Sequence, residues 1–264
     1  MRKWTALFIA VCMFVLYLPA AALAAKPDSS SWLDLKNLNQ GVIGIAYESG
    51  TKATKLMVTK DGVNYTYNLA AAGKEEFFPL QLGNGAYTLS ILERVTDNRY
   101  KSVYNDSVDL QVKDAAGVYL NSIQNINYNE AEAVVEKARE LTQNKKTDQE
   151  KVKAIYDYIV NTVTYDFNLA ANVQTGYIPD LDSVLTSGKG ICYDYASLFA
   201  AMNRSVGVPT KLLMGSSEHV KEYHAWNEVY LDGKWQTVDT TVDAGTGSQT
   251  LVKNAAEYKA AKVY

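Results

Sequence analysis

The spacing of apolar residues changes once along this chain, and that change limits the folds open to it more than any other feature. Over residues 41–112, short alternating or β-branched runs at 42–47, 55–59, 64–69, 86–93 and 107–112 are separated by turn signals. Alternation with period two builds strands with one buried face. Asp61-Gly62 predicts a two-residue hairpin and Gly83-Asn84-Gly85 a second reversal, so a small antiparallel β-sandwich is expected here. Its tyrosines, among them Tyr65, Tyr67 and Tyr87, suit half-buried strands, with a glycan- or peptide-binding face as the alternative. From Asn129 the period lengthens to that of a helix. Asn129 is read as the cap of a helix with Val134, Ala138 and Leu141 on one face, and Thr147-Asp148-Gln149-Glu150 as a capping box opening a second. Val152, Ile155, Tyr156, Ile159 and Val163 form the buried stripe of that second helix. A boundary between a β-rich front half and a mixed back half follows near residues 113–128.

With 264 residues, 47% of them hydrophobic and 21% charged, the chain has material for two cores and is too apolar for a disordered tail. No stretch clusters Lys and Arg as phosphate neutralisation demands, so nucleic acid is not expected as a partner. Residues 1–24 read as a cleavable secretory leader: Arg2-Lys3, an apolar run over 6–18, Pro19, then Ala22-Leu23-Ala24. The run falls short of the roughly 20 apolar residues a membrane span needs. The expectation is a protein that is secreted or sits at the cell surface, with no stable membrane insertion once the leader is cut. Losing Arg2 and Lys3 from 26 basic residues, against 29 acidic ones, takes the net charge from −3 to −5. Cys12 leaves with the leader, and Cys192 becomes the single thiol. Such a thiol is buried and inert, bridged to another chain, or a nucleophile.

Its surroundings bear on the choice. Gly188-Lys189-Gly190-Ile191-Cys192 runs into a helical pattern in which Ala196, Phe199, Met202 and Val206 recur before Gly207 and Pro209. Cys192 is therefore expected at a helix N-terminus, where unpaired amides and the macrodipole favour negative charge on sulfur and could receive an oxyanion. Further on, two strands flank Asp232-Gly233. If Leu231 pairs with Lys234, Trp226 faces Asp239 and His224 faces Thr241, so His224 and Asp239 become diagonal neighbours, about 7 to 8 Å apart at the backbone. A carboxylate there can orient the imidazole. Taken singly, each residue has a structural alternative: a space-filling thiol, a sheet histidine, a turn aspartate. Together they supply nucleophile, base and orienter.

The segments 190–196 (Gly-Ile-Cys-Tyr-Asp-Tyr-Ala), 207–209 (Gly-Val-Pro), 224–230 (His-Ala-Trp-Asn-Glu-Val-Tyr) and 235–239 (Trp-Gln-Thr-Val-Asp) resemble the core of the transglutaminase-like superfamily, with a weaker match back through 152–166. The resemblance implies an α+β, papain-like core in which a helix carrying Cys192 packs on an antiparallel sheet carrying His224 and Asp239. It implies acyl chemistry through a cysteine thioester, with Cys192, His224 and Asp239 catalytic. Protein or peptide amides are the implied substrates, with the cell envelope as one setting. Thr240 departs from the family's pattern, which commonly has proline there. No cofactor or metal is expected, since neither His219 nor His224 has companions at metal-ligand spacing.

The expected organisation is a leader at 1–24, a β-sandwich-like domain at 32–115, a transglutaminase-like domain at 125–245 and a tail at 246–264, in which 254–262 reads as a short helix. Asp166 is read as a helix-end acid or as one standing behind the reacting groups, outside the catalytic set, His219 as an exposed loop residue, and Trp226 as a shield against water or as packing beneath the Cys192 helix. A non-catalytic binding module on the same fold, attached to the cell surface or wall, is the alternative to an enzyme.

Overall fold

A computed structural model describes residues 31–264 apart from Ala71. The leader expected at 1–24 lies outside the described residues. In chain order the front half forms β1 (Leu33–Asp34), β2 (Val42–Ile45), β3 (Thr54–Lys60), β4 (Val63–Asn68), β5 (Glu76–Pro79), β6 (Gly85–Thr96) and β7 (Arg99–Leu110). These make two antiparallel sheets, ordered β1-β2-β5 and β4-β3-β6-β7. Ile43, Ile45 and Phe78 of the first sheet and Leu56, Val58, Leu89 and Ile91 of the second share one buried cluster, so the front half is sandwich-like. Strand β5, with its Phe-Phe-Pro run, escapes a search for alternation because it buries both faces at its end.

The back half contributes α1 (Glu132–Thr142), α2 (Asp148–Thr162), β8 (Thr164–Tyr165), α3 (Phe167–Asn172), α4 (Leu181–Ser187), β9 (Lys189–Gly190), α5 (Cys192–Ser205), β10 (Thr210–Ser217), β11 (His224–Leu231), β12 (Lys234–Val238), α6 (Thr240–Thr246) and β13 (Tyr258–Val263). A four-stranded antiparallel sheet, β12-β11-β10-β13, packs against α5, whose residues 194–204 are all buried. A helix buried on every side is the centre of its core rather than a surface element. The mixed helix and antiparallel sheet is the α+β class expected. Among the described residues no helix is long and apolar enough to cross a membrane.

Helix α2 opens on its capping box: the Glu150 amide donates to Thr147 Oγ1 at 3.2 Å and the Thr147 amide to Glu150 Oε2 at 3.0 Å. Asn129 does not cap α1. It lies in a 3₁₀ turn, the N-cap is Ala131, and the Val134 amide donates instead to Asp182 Oδ1 at 3.2 Å, an acceptor brought in from α4. The expected helix at 254–262 is also corrected. Only 255–257 make a 3₁₀ turn, and 258–263 form β13 on the open edge of β10. Ala and Lys at 259–262 favour a helix locally, but the ladder on β10 overrides that preference. Gly215 permits it, because a Cβ there would come within 2.1 Å of the Lys259 carbonyl oxygen.

β13 also joins the halves. The Val263 amide donates to Tyr65 Oη at 3.1 Å, Gln81 Nε2 to the Val263 carbonyl at 3.2 Å, and Tyr264 packs edge-on against Tyr65 and Tyr67. Beneath it, buried Arg204 donates to the carbonyls of Thr210, Asn121 and Tyr264 at 2.8, 2.7 and 3.0 Å.

Candidate active site

Cys192 is the first residue of α5, and the strand pair β8-β9 holds it in place by setting Tyr165 beside Gly190. The N-cap, Ile191, has no side-chain acceptor. Asp194 supplies one from within the first turn: the Ile191 amide donates to Asp194 Oδ2 at 2.8 Å, and Tyr177 Oη donates to Oδ1 at 2.7 Å. Burial raises the Asp194 carboxyl above its ordinary value against these two bonds, with repulsion from Asp166 adding to it. Gly190 makes room, since a Cβ there would lie 2.6 Å from Asp194 Cβ. The Gly-x-Cys-x-Asp spacing is thus a steric and capping unit around the start of the helix.

The hairpin β11-β12 has the register that a two-residue turn requires, Leu231 with Lys234, and both turn residues have positive φ, 52° at Asp232 and 75° at Gly233. The ladder ends at Val238, so His224 does not pair with Thr241 as expected. The chain turns away at Asp239, which caps α6 by accepting from the Val242 amide at 3.1 Å. Thr240 takes the first helical position, where proline is at home, and so the departure there leaves the turn intact. From the cap, Asp239 Oδ2 still reaches the imidazole, accepting from His224 Nε2 at 2.8 Å.

With Nε2 committed to Asp239, the nitrogen left for sulfur is Nδ1, and Cys192 lines the same cleft as His224. Burial works against a charged imidazolium, but the hydrogen bonds and charges of Asp239 and Cys192 outweigh it and push the pKa of His224 up to about 9. The structure thus brings Cys192, His224 and Asp239 into one row, His224 and Asp239 joined by a hydrogen bond and Cys192 beside His224 on the cleft. Its chemistry is that of a thiol whose proton can pass to an imidazole oriented by a carboxylate.

Three further residues complete the surroundings. Tyr258 of β13 donates to Asp239 Oδ2 at 3.1 Å, so that oxygen takes two donors. Trp226, 2% exposed, lies nearly parallel to the imidazole at 6.3 Å and 5.2 Å from the Tyr258 ring. It packs against the rings of His224 and Tyr258. Asp243, fully buried one turn beyond Asp239, takes Tyr156 Oη at 2.6 Å and the Lys253 ammonium, which anchors α6 to α2. Sequence reasoning missed Tyr258 because its strand was read as a helix; the glycine inside β10 was the available signal of close backbone approach. His219 is exposed and 2.9 Å from Glu257, and Asp166 caps α3 by accepting from the Leu169 amide at 2.8 Å. Among the described residues no cluster of three or more His, Cys, Asp or Glu side chains could hold a metal ion.

Cys192 and His224 open onto a cleft of about 540 Å³ with Tyr165, Phe167, Tyr223 and Val242 on its walls.

Residues 135–240 match the family described as the Transglutaminase-like superfamily. Kyphoscoliosis peptidase of Homo sapiens is 30% identical over 154 residues, covering 54% of this chain and 22% of that protein. The Mus musculus protein is 33% identical over 124 residues, covering 43% and 19%. The match therefore spans about a fifth of these curated relatives. Among solved structures, a candidate cysteine protease from Cytophaga hutchinsonii aligns over 84% of this chain and 80% of its own, at 16% identity and a TM-score of 0.45.

Proposed function

From the match of residues 135–240 to the Transglutaminase-like superfamily we propose that the chain is a cysteine-dependent acyl-transfer enzyme acting on protein or peptide amides. The observation that carries the reading is the buried 2.8 Å bond from His224 Nε2 to Asp239 Oδ2, with Cys192 on the same cleft as His224. His224 holds the thiol proton as an imidazolium beside the thiolate, and the sulfur attacks the amide carbonyl carbon, forming a C–S bond. The tetrahedral oxyanion meets the Cys192 amide at the start of α5. The imidazolium returns its proton to the departing nitrogen as the C–N bond breaks, which leaves a thioester. Water or an amine then gives up a proton to His224 and attacks. The C–S bond breaks, and the sulfur regains its proton from the imidazolium. Asp239 orients the ring and stabilises the imidazolium.

As part of the same proposal, and on the leader read at residues 1–24, we propose that this activity lies outside the cytoplasm. The test is incubation of the full mature chain with a Gln-containing peptide and a labelled amine, followed by mass spectrometry. Wild type is expected to give deamidated, cleaved or amine-coupled peptide, and Cys192→Ala none. Equal product from the two would overturn the proposal.

A further inference from the structure

Two of the most exposed aromatic side chains sit on the cleft that holds Cys192 and His224: Phe167, 78% exposed, and Tyr223, 62% exposed. Leaving a ring in water forgoes the stabilisation its burial would bring, so two such rings on one small cleft call for an occupant. Neither position is loose. Phe167 is the first residue of α3, which Asp166 caps, and its ring packs edge-on against Tyr165 at 5.0 Å. Tyr223 immediately precedes His224 at the start of β11. The rings therefore stand at points fixed by the same elements that fix the reacting groups. Ala170, Ala171, Val220 and Val242 line the cleft with them and add no charge.

Away from His224 at the reacting end, the charge on the cleft is negative. Glu222 lines it and its charge acts on Tyr165, His219 is engaged with Glu257, and no Lys or Arg is among the lining residues. An anionic substrate would meet Glu222 as a like charge, whereas a cationic one would be drawn in.

We infer that the acyl-donor substrate is a peptide with a large apolar side chain beside the reacting amide, held between Phe167 and Tyr223, and a basic residue adjacent to it that meets Glu222. This rests on the acyl-transfer reading of Cys192 and His224 and adds the substrate class to it. Apolar contact supplies affinity in the cleft, and the carboxylate sets which side of the apolar residue carries the positive charge.

The experiment presents the full mature chain with a defined pool of peptides and an amine, and reads product from each peptide by mass spectrometry. Products are expected to concentrate in peptides with Phe, Tyr, Leu or Met within two residues of the reacting amide and with Lys or Arg next to it. Phe167→Ala and Tyr223→Ala should each raise KM for such a peptide about tenfold, the scale of a partly buried aromatic side chain, with kcat changed far less. Glu222→Gln should abolish the preference for Lys or Arg while keeping the apolar one. Turnover without an apolar preference, or an unchanged KM in both aromatic variants, overturns the inference and leaves the acyl-transfer reading standing. If wild type yields no product from any peptide, both fall together.

Discussion

At the scale of single residues, the site is governed by where the proton on His224 sits. Burial alone would lower the imidazole's pKa, and the partners reverse that to about 9. Because this value lies above that of an unfolded histidine, the group's contribution to stability is fully present below about pH 6.5. It is lost as the pH rises through about 9. Removing the Asp239 charge leaves burial as the main influence, so Asp239→Asn should bring the pKa of His224 down by well over one pH unit. The chain has two histidines, and a His219→Gln variant identifies the His224 resonances in an NMR titration. A wild-type midpoint near or below 6.5, or one that Asp239→Asn leaves in place, would contradict this account of the site.

At the scale of elements, what was legible in the sequence was whatever rests on local chemistry. The Asp232-Gly233 turn dictated the hairpin register, Thr147 and Glu150 marked the start of α2, and the run from Gly190 to Cys192 marked the start of α5. Long-range supply of a partner was not legible. The α1 amide takes its acceptor from Asp182, forty-eight residues away, and no local signal at Asn129 reveals that. Residues 258–263 become a strand because β10 offers an edge and Gly215 lets another backbone approach. The same strand carries Tyr258 to Asp239. Gly215→Val would drive a side chain into the Lys259 carbonyl, so it should detach β13 and cost about 1 to 3 kcal/mol, the scale of overpacking a tight site. Urea denaturation together with hydrogen exchange over 258–263 measures both effects. Unchanged protection of that segment would show that the close approach does not depend on glycine.

At the scale of the whole molecule, the β-sandwich and the back half are tied by the segment that follows the sheet's other strands. Tyr264 packs against both cores, Val263 bonds Tyr65, and Arg204 gathers carbonyls from the connection, the sheet and the end of β13. The sandwich thereby reaches the same strand that supports Asp239, although it contributes no residue to the row of Cys192, His224 and Asp239. The most direct measurement of what that row does is the intact mass of the full mature chain, quenched in acid during reaction with a Gln-containing peptide. The account predicts a peptide acyl group on Cys192, released by neutral hydroxylamine as a thioester is, and absent from Cys192→Ala. A turned-over peptide with no such adduct at any time, or the same adduct in Cys192→Ala, would contradict it.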